Sequence, residues 1–121
     1  MTTQEIAKRY YELACQGKWT EIQDEYHDDY VLCIEPEHAE QRGIPKLTKG
    51  KEAVKAKSIA SREKIETIHH QYCSEPIVGA GYFSLVLKRD VTFKNNQRMS
   101  LEEICVFEVA EGKIISEQFF Y

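Results

Sequence analysis

The sequence has little of what marks several large classes of protein. Its four cysteines are scattered and form no C-x-x-C pair, which disfavours a zinc or redox motif and predicts free, mostly buried thiols. No apolar run approaches membrane-spanning length, and no basic region followed by an apolar stretch marks a signal peptide. The net charge of −4 is not the basic excess of a nucleic-acid-binding protein. We therefore expect a cytoplasmic protein that binds neither membrane, nucleic acid nor metal.

The length and composition are those of one globular unit. At 121 residues the chain can build one hydrophobic core but not two ordinary domains. Hydrophobic residues make up 42% and charged residues 30%, and neither repeats nor a linker interrupt the chain. We expect a single domain over residues 1–121.

The last forty residues carry the strongest pattern. Apolar side chains alternate with mixed ones along Tyr82–Phe93, Arg98–Ala110 and Lys113–Tyr121, as they do when one face of a strand is buried. Lys94–Gln97 and Glu111–Gly112 separate these runs with residues that accept the positive φ of tight turns. The pattern predicts three consecutive antiparallel strands.

The N-terminal part of the chain reads as helical. Thr2-x-x-Glu5 is a candidate capping box for an amphipathic helix that ends near Gly17. A second short helix is indicated by an apolar stripe of Trp19, Ile22 and Tyr26. The polar run His27–Asp29 is expected to end this second helix.

The middle of the chain alternates short elements with a loop. Tyr30–Glu35 and Ile65–Cys73 are predicted strands, and Glu37–Lys49 is a predicted loop that could form a flap over a cavity mouth. Lys51–Glu63 is a predicted third helix, and Glu75–Gly81 is a turn into the last three strands. Four small apolar residues of this helix are expected to face inward: Ala53, Val54, Ala56 and Ala60. The order predicts an α+β fold, in which three helices pack on a strongly curved antiparallel sheet and leave an open end for a ligand.

Several short segments share their order and spacing with a known superfamily. They are Arg9-Tyr10 through Gly17-Lys18 with Ile22, Asp28–Val31, Glu35-Pro36, Gly50–Val54, Cys105–Val109 and Gly112–Ile115. Nearly the whole chain thus resembles the nuclear transport factor 2-like superfamily, in its SnoaL-like branch. The resemblance implies a cone-shaped fold and a homodimer formed through the sheet. It does not fix an activity, because the superfamily includes isomerases, polyketide cyclases, dehydratases, epoxide hydrolases and non-catalytic binding modules.

Ketosteroid isomerase is an enzyme of similar shape, and its site can be compared residue by residue. Its helix tyrosine corresponds to Tyr10, which has the same Arg-Tyr context. Its aspartate base corresponds to Glu35 by the following proline, but to Ile34 by spacing, so Glu35 needs a bulge to point inward. Its protonated aspartate corresponds to Cys105, which cannot do that work. The resemblance therefore does not favour ketosteroid isomerisation.

Two carboxylates fall on the predicted cavity face of the last two strands. The residues expected to face inward are Leu101, Glu103, Cys105 and Phe107 on one strand and Ile115, Glu117, Phe119 and Tyr121 on the other. Glu103 and Glu117 could thus project into an apolar cone, which suits acid–base chemistry beside a carbonyl. Alternatively they face solvent, or pair with a nearby cation: Lys88, Arg89 or Arg98.

Other polar groups have weaker claims on the cavity. His69 and His70 are neighbours in a predicted strand, so at most one of them should enter the cavity and contact a ligand. A lysine cluster surrounds the start of the third helix, comprising Lys46, Lys49, Lys51, Lys55 and Lys57. A solvated helix face is the favoured interpretation of this cluster, with an anion site as the alternative.

Together these features predict a protein that binds a small apolar molecule. Tyr10, Glu35, Glu103 and Glu117 are its candidate catalytic residues, and its candidate ligand-binding residues are His69, His70, Cys105, Phe107, Phe119 and Tyr121. Isomerase, cyclase or dehydratase chemistry by acid–base catalysis fits and needs no cofactor. The alternative is a non-catalytic, dimeric binding module. The apolar outer sheet face around Tyr82, Val86 and Ile104 predicts the homodimer interface.

Overall fold

The computed structural model describes residues 1–121. Three α-helices lie in the first half of the chain: α1 (Thr3–Cys15), α2 (Trp19–Tyr26) and α3 (Lys51–Glu63). The strands are β1 (His27–Ile34), β2 (Leu47–Lys49), β3 (Ile65–Cys73), β4 (Ile77–Val78), β5 (Tyr82–Phe93), β6 (Arg98–Ala110) and β7 (Lys113–Phe120). A 3-10 helix, Glu37–Arg42, links β1 to β2. No helix is long and apolar enough to cross a membrane.

One sheet contains all seven strands. Its order is β2-β1-β7-β6-β5-β3, with β4 paired to β5. All pairings are antiparallel except that of β1 with β7, which is parallel, so the sheet is mixed. The predicted α+β class is confirmed, but the predicted antiparallel sheet is corrected to a mixed one. The last strand, β7, lies between β1 and β6 and is parallel to the first of them and antiparallel to the second.

Local sequence signals account for α1 and for the turns of the last three strands. The Thr2 hydroxyl accepts from the Glu5 backbone N–H at 3.1 Å, and the Glu5 carboxylate accepts from the Thr2 N–H at 3.0 Å, which is the predicted capping box. Asn96 (φ 70°) and Gly112 (φ 76°) supply the left-handed residues of the two turns. These turns hold β5, β6 and β7 in continuous antiparallel register.

The core lies between α1 and the inner face of the sheet. Helix α1 buries five residues on one stripe: Ile6, Ala7, Tyr10, Leu13 and Ala14. Opposite them, β5 and β6 bury alternate residues, among which Phe83 and Phe107 stack at 4.6 Å between ring centroids. The ring of Tyr10 packs against both phenylalanines, and this contact holds α1 on the inner face of the sheet.

Several predicted elements need correction. Helix α2 ends at the polar run as predicted, with His27 as its C-cap, but β1 begins at the same residue and so earlier than the predicted Tyr30. The predicted loop Glu37–Lys49 contains the 3-10 helix and β2. In α3 only Val54 is buried. The three alanines of that helix, Ala53, Ala56 and Ala60, are exposed. The alanine stripe was misleading because longer side chains make the polar contacts of α3 with other elements, namely Lys51, Lys55, Lys57 and Arg62.

Irregularities in strand pairing redirect side chains that strict alternation would place elsewhere. The register shifts between Ile68 and His70 in β3, and between Glu108 and Val109 in β6. Because of the second shift, Ile114 is fully buried while Ile115 is only half-buried, which corrects the predicted inward position of Ile115. Glu117, two pairs beyond the shift, is nevertheless buried.

Candidate functional site

The inner faces of β6 and β7 bring polar side chains into an apolar environment. Cys105 and Phe107 of β6 are fully buried, and Glu117 of β7 is 5% exposed. Phe107 and Glu117 are direct cross-strand partners, as are Cys105 and Phe119. Two carboxyl groups, those of Glu103 and Glu117, share this face with sulfur and aromatic groups.

Glu117 forms a buried pair with His27. The Nε2 atom of His27 and the Oε2 atom of Glu117 are 2.9 Å apart and share a hydrogen bond. His27 is 2% exposed, and its Nδ1 atom is buried without a hydrogen-bond partner. A carboxyl group with a single imidazole partner can exchange a proton with a bound molecule, and the imidazole holds it in position.

Glu103 lies two residues before Cys105 on β6, and its carboxyl group forms no ion pair with a lysine or arginine. Its closest polar contact is the Cys105 thiol, 3.8 Å from Oε1. Burial raises the pKa of Glu103, and the nearby charge of Arg89 only partly opposes this rise. The carboxylates of Glu35 and Glu117 raise the pKa of Glu103 further. Glu103 therefore holds its proton more tightly than a solvent-exposed glutamate does.

A further cluster of polar side chains surrounds Glu35, the residue that follows β1. The Lys57 Nζ atom donates to the Glu35 carboxylate at 2.9 Å, and the Tyr121 hydroxyl donates to its other oxygen at 2.8 Å. Lys57 also lies 2.8 Å from the Cys33 sulfur. Burial keeps Cys33 a neutral thiol by raising its pKa, so the Glu35 carboxylate balances the charge of Lys57.

The Glu35 cluster also alters the properties of its neighbours. Burial lowers the pKa of Lys57, but the contacts with Cys33 and Glu35 outweigh it, and the net shift is upward. Burial, followed by the hydrogen bond to Glu35, raises the pKa of Tyr121. Both groups therefore keep their protons at neutral pH, and the cluster is a fixed ion pair with a phenol.

Tyr10 packs within the aromatic core below the carboxyl groups. Its ring centroid lies 4.6 Å from that of Phe107, 5.7 Å from Phe83 and 6.5 Å from Trp19. Burial raises the pKa of Tyr10 well above its ordinary value, and the charges of Glu103 and Glu117 add to this. The hydroxyl is therefore a neutral group close to both carboxyl groups.

The two histidines of β3 lie away from this site. His69 and His70 are exposed, and the Nε2 atom of His69 is 2.7 Å from the Thr92 hydroxyl. Both lie close enough to Asp90 to lower the pKa of that carboxyl group, whose main partner is Arg98. Glu66 to His70 are all exposed, and β3 is the edge strand of the sheet, so neither histidine is covered by the core.

The structure groups the other candidate residues as follows. Cys105 and Phe107 lie on the inner face, and Phe119 packs on the core while half-buried. Tyr121 belongs to the Glu35 cluster. No three His, Cys, Asp or Glu side chains are grouped closely enough to hold a metal ion.

Sequence reasoning missed two polar residues of the site, His27 and Lys57. His27 sits in a polar run, and its partner Glu117 is 90 positions away, so no local pattern marks it. Lys57 belongs to the lysine cluster that was interpreted as a solvated helix face. The side chains of Lys51, Lys55 and Lys57 are similarly covered, at 17%, 20% and 18% exposed. They differ in their partners, because Lys51 and Lys55 pair with exposed aspartates whereas Lys57 pairs with Glu35, which is 8% exposed. The only sequence signal is that Lys57 lies two residues after Lys55, and so points to a different side of α3.

Comparison with known proteins places this geometry in a family. The family model of the SnoaL-like domain matches residues 1–121. The chain belongs to the SnoaL-like domain family. A crystal structure from Mesorhizobium loti, of a candidate SnoaL-like polyketide cyclase, is 34% identical and has a TM-score of 0.90, with 100% of each chain covered. No curated protein sequence matches the chain.

More distant structures share the SnoaL-like fold. A nuclear transport factor 2-like protein of unknown function from Burkholderia pseudomallei is 15% identical, with a TM-score of 0.80 over 98% of this chain and 89% of that one. TerC, crystallised with polyporic acid, is 16% identical, with a TM-score of 0.76 over 98% of this chain and 90% of that one. At these identities the likeness concerns the fold.

Proposed function

We propose that this SnoaL-like protein binds a small, largely apolar molecule in the cone and carries out cofactor-independent acid–base chemistry on it. The observation that carries the proposal is that two inward carboxyl groups, Glu103 and Glu117, have no lysine or arginine nitrogen within 4.0 Å. A carboxyl group that is not neutralised by a cation remains available for proton transfer.

The two carboxyl groups suit different roles. Glu103, whose pKa is raised by burial, takes the role of donating a hydrogen bond or a proton to a substrate oxygen. Glu117, held by His27, is the proton acceptor. Together they would remove a proton next to a carbonyl and stabilise the enol that forms, a step shared by isomerases, cyclases and dehydratases. Tyr10 is a positioning residue beneath them, and Glu35 orients Tyr121 at the rim.

The relatives support a small-molecule ligand. The 34% identical structure is described as a candidate polyketide cyclase, and TerC was crystallised with polyporic acid. We extend to this chain only their general ligand class, a small ring compound. The four free thiols fit the reducing conditions of the cytoplasm, where we propose that the protein works.

Proton removal from a simple ketone tests the proposal. 2-Tetralone has acidic C–H groups beside its carbonyl, and NMR in D₂O measures their exchange. The wild type should accelerate exchange over buffer, and Glu103→Gln and Glu117→Gln should each reduce this acceleration by about 10²-fold, a typical general acid–base contribution. Glu102→Gln, on the exposed outer face of the same strand, is the matched control. Equal exchange by the wild type and both inner variants would contradict the proposal.

A non-catalytic binding module is the second candidate function. It is favoured by the aromatic cluster of Tyr10, Phe83 and Phe107, which fills the part of the cone next to α1 with the protein's own side chains. If the wild type and both inner variants bind 2-tetralone equally but none accelerates exchange, the module interpretation replaces the enzyme.

We also propose a homodimer through the outer face of the sheet. This face exposes large apolar side chains from four strands, including Tyr82 and Ile104 at 51% and Phe120 at 47%. Next to them, a groove of about 610 Å³ is lined in part by Tyr72 and Val86. An apolar surface of this kind favours burial against a partner, and a second copy offers the same surface.

A further inference from the structure

A second pocket lies between the start of α2, the end of α3 and strands β3 and β5. It has a volume of about 350 Å³ and is lined by Trp19, Arg62, Ile65, Glu66, Ile68 and Arg89. This volume lies within the range of pockets that hold small organic molecules. Four separate elements contribute to the lining, so the pocket is a product of the tertiary fold.

Neither guanidinium group in this pocket has an acidic partner. The eight ion pairs of the chain include neither Arg62 nor Arg89, and Glu66 in the lining is exposed. Arg62 donates only to the hydroxyl groups of Ser58 and Thr20. Arg62 and Arg89 both line this one pocket. Burial lowers the pKa of Arg62, and the positive charge of Arg89 lowers it further. An anion between them would relieve this repulsion.

The rest of the lining is suited to a ring or an alkyl group. Trp19, Ile65 and Ile68 offer an apolar surface beside the two cations. The Trp19 ring also meets Tyr10 edge-on, with centroids 6.5 Å apart. Tyr10 lies beneath the carboxyl groups of the proposed active site, and Arg89 is near enough to influence Glu103. The pocket is thus contiguous with the proposed site.

We propose that this pocket binds the carboxylate of a small, ring-bearing carboxylic acid, with Arg62 and Arg89 pairing to the carboxylate and the ring lying against Trp19. The inference rests on the proposed function, because it names the class of molecule on which the cone would act. Two arginines and one glutamate leave the lining with a single net positive charge, which matches a carboxylate better than a dianionic phosphate.

The test follows the indole N–H signal of Trp19 by NMR. Trp19 is the only tryptophan, so the signal needs no assignment. Cyclohexanecarboxylate is the probe, and cyclohexanecarboxamide is its uncharged match. The carboxylate should bind at least tenfold more tightly than the amide, because only the carboxylate pairs with the guanidinium groups. Arg62→Met and Arg89→Met should each weaken carboxylate binding about tenfold and leave amide binding unchanged.

Control variants and a second anion make the outcomes decisive. Arg98→Met removes an exposed arginine that pairs with Asp90 on the outer face, and it should not change binding. If Arg62→Met fails to fold, Arg62→Lys keeps the charge but loses the planar fork, and should weaken carboxylate binding by a smaller factor. Equal binding of acid and amide, or wild-type affinity in both methionine variants, would overturn the inference. Inorganic phosphate binding as tightly as the carboxylate would overturn the assigned ligand class.

The outcome is separable from that of the proposed function. Binding of the carboxylate is read without turnover, whereas 2-tetralone has no carboxylate and reports only on the acid–base groups. Carboxylate binding without ketone exchange would reject the acid–base proposal alone. Ketone exchange without carboxylate selectivity would reject this inference alone.

Discussion

Removal of Glu117 should destabilise the protein severely, because it leaves His27 buried and without a partner. His27 and Glu117 are 2% and 5% exposed, and the 2.9 Å contact between them is the only hydrogen bond of the imidazole, since Nδ1 has none. Breaking a buried pair by removing one partner costs about 3–5 kcal/mol. A domain of this size has a total stability of about 5–15 kcal/mol, so Glu117→Ala should lose roughly a fifth of it or more.

Two further variants separate the charge from the packing. Glu117→Gln keeps the shape and one hydrogen bond to His27, and should cost about 1 kcal/mol. The double variant His27→Phe/Glu117→Leu replaces the pair with apolar groups and should recover most of the stability lost in Glu117→Ala. Urea denaturation at 25 °C, followed by circular dichroism, gives the free energy of unfolding of each protein.

Glu102→Ala provides the control for the loss of a glutamate from a strand. Its side chain pairs with Lys88 on the exposed outer face, so its removal should cost less than about 1 kcal/mol. A loss below about 1 kcal/mol in Glu117→Ala would refute the reasoning, because the imidazole would then have another partner or be hydrated. A double variant less stable than Glu117→Ala would refute it as well, because packing and not pairing would then dominate.

Three further predictions concern pH, thiols and assembly. Burial raises the pKa of Glu103 in the folded state, so Glu103→Gln should stabilise the protein at neutral pH by about 1.4 kcal/mol for each pKa unit by which the folded state exceeds the unfolded state. The gain should vanish below the pKa that Glu103 has in the unfolded chain. A gain that does not change with pH in urea denaturation would contradict this prediction. Cys15 is the only exposed thiol, so one of the four cysteines should react quickly with a thiol reagent in the native protein and three only on unfolding, and a stoichiometric internal disulfide in the native mass spectrum would be the opposite result. Light scattering at micromolar concentration should give about 28 kDa, twice the chain mass of 14.1 kDa, with Ile104→Lys reduced to the monomer; a wild-type mass of about 14 kDa would rule out the dimer.

The strands were predictable from sequence where alternation is long and turns are short. Tyr82–Phe93 and Arg98–Ala110 match β5 and β6, because twelve or more alternating residues leave little doubt about which face is buried. The capping box predicted the start of α1 because its two partners, Thr2 and Glu5, are only three residues apart. Local signals of this kind depend only on neighbours in the chain.

The site was predictable only in part, because its contacts are distant in sequence and depend on irregular pairing. Glu117 was expected on the inner face, but His27 was not, since the polar run around it hides a residue buried by a partner 90 positions away. The exposure of both His69 and His70 follows from the edge position of β3 in the sheet, which the alternation within one strand cannot reveal. Lys57 is partly buried because it pairs with the carboxylate of Glu35, which lies 22 positions earlier in the chain.

The titration of Glu103 tests the central claim most directly, because the acid–base proposal needs an inward carboxyl group that holds its proton more tightly than an exposed glutamate does. The ¹³Cδ signal of Glu103, assigned by its loss in Glu103→Gln, can be followed by NMR across the acid and neutral range. The account predicts a midpoint above the ordinary glutamate pKa of 4.5, with the exposed Glu102 as the internal comparison. A midpoint at or below 4.5 would contradict it, because Glu103 would then be ionised and solvated or paired with a cation.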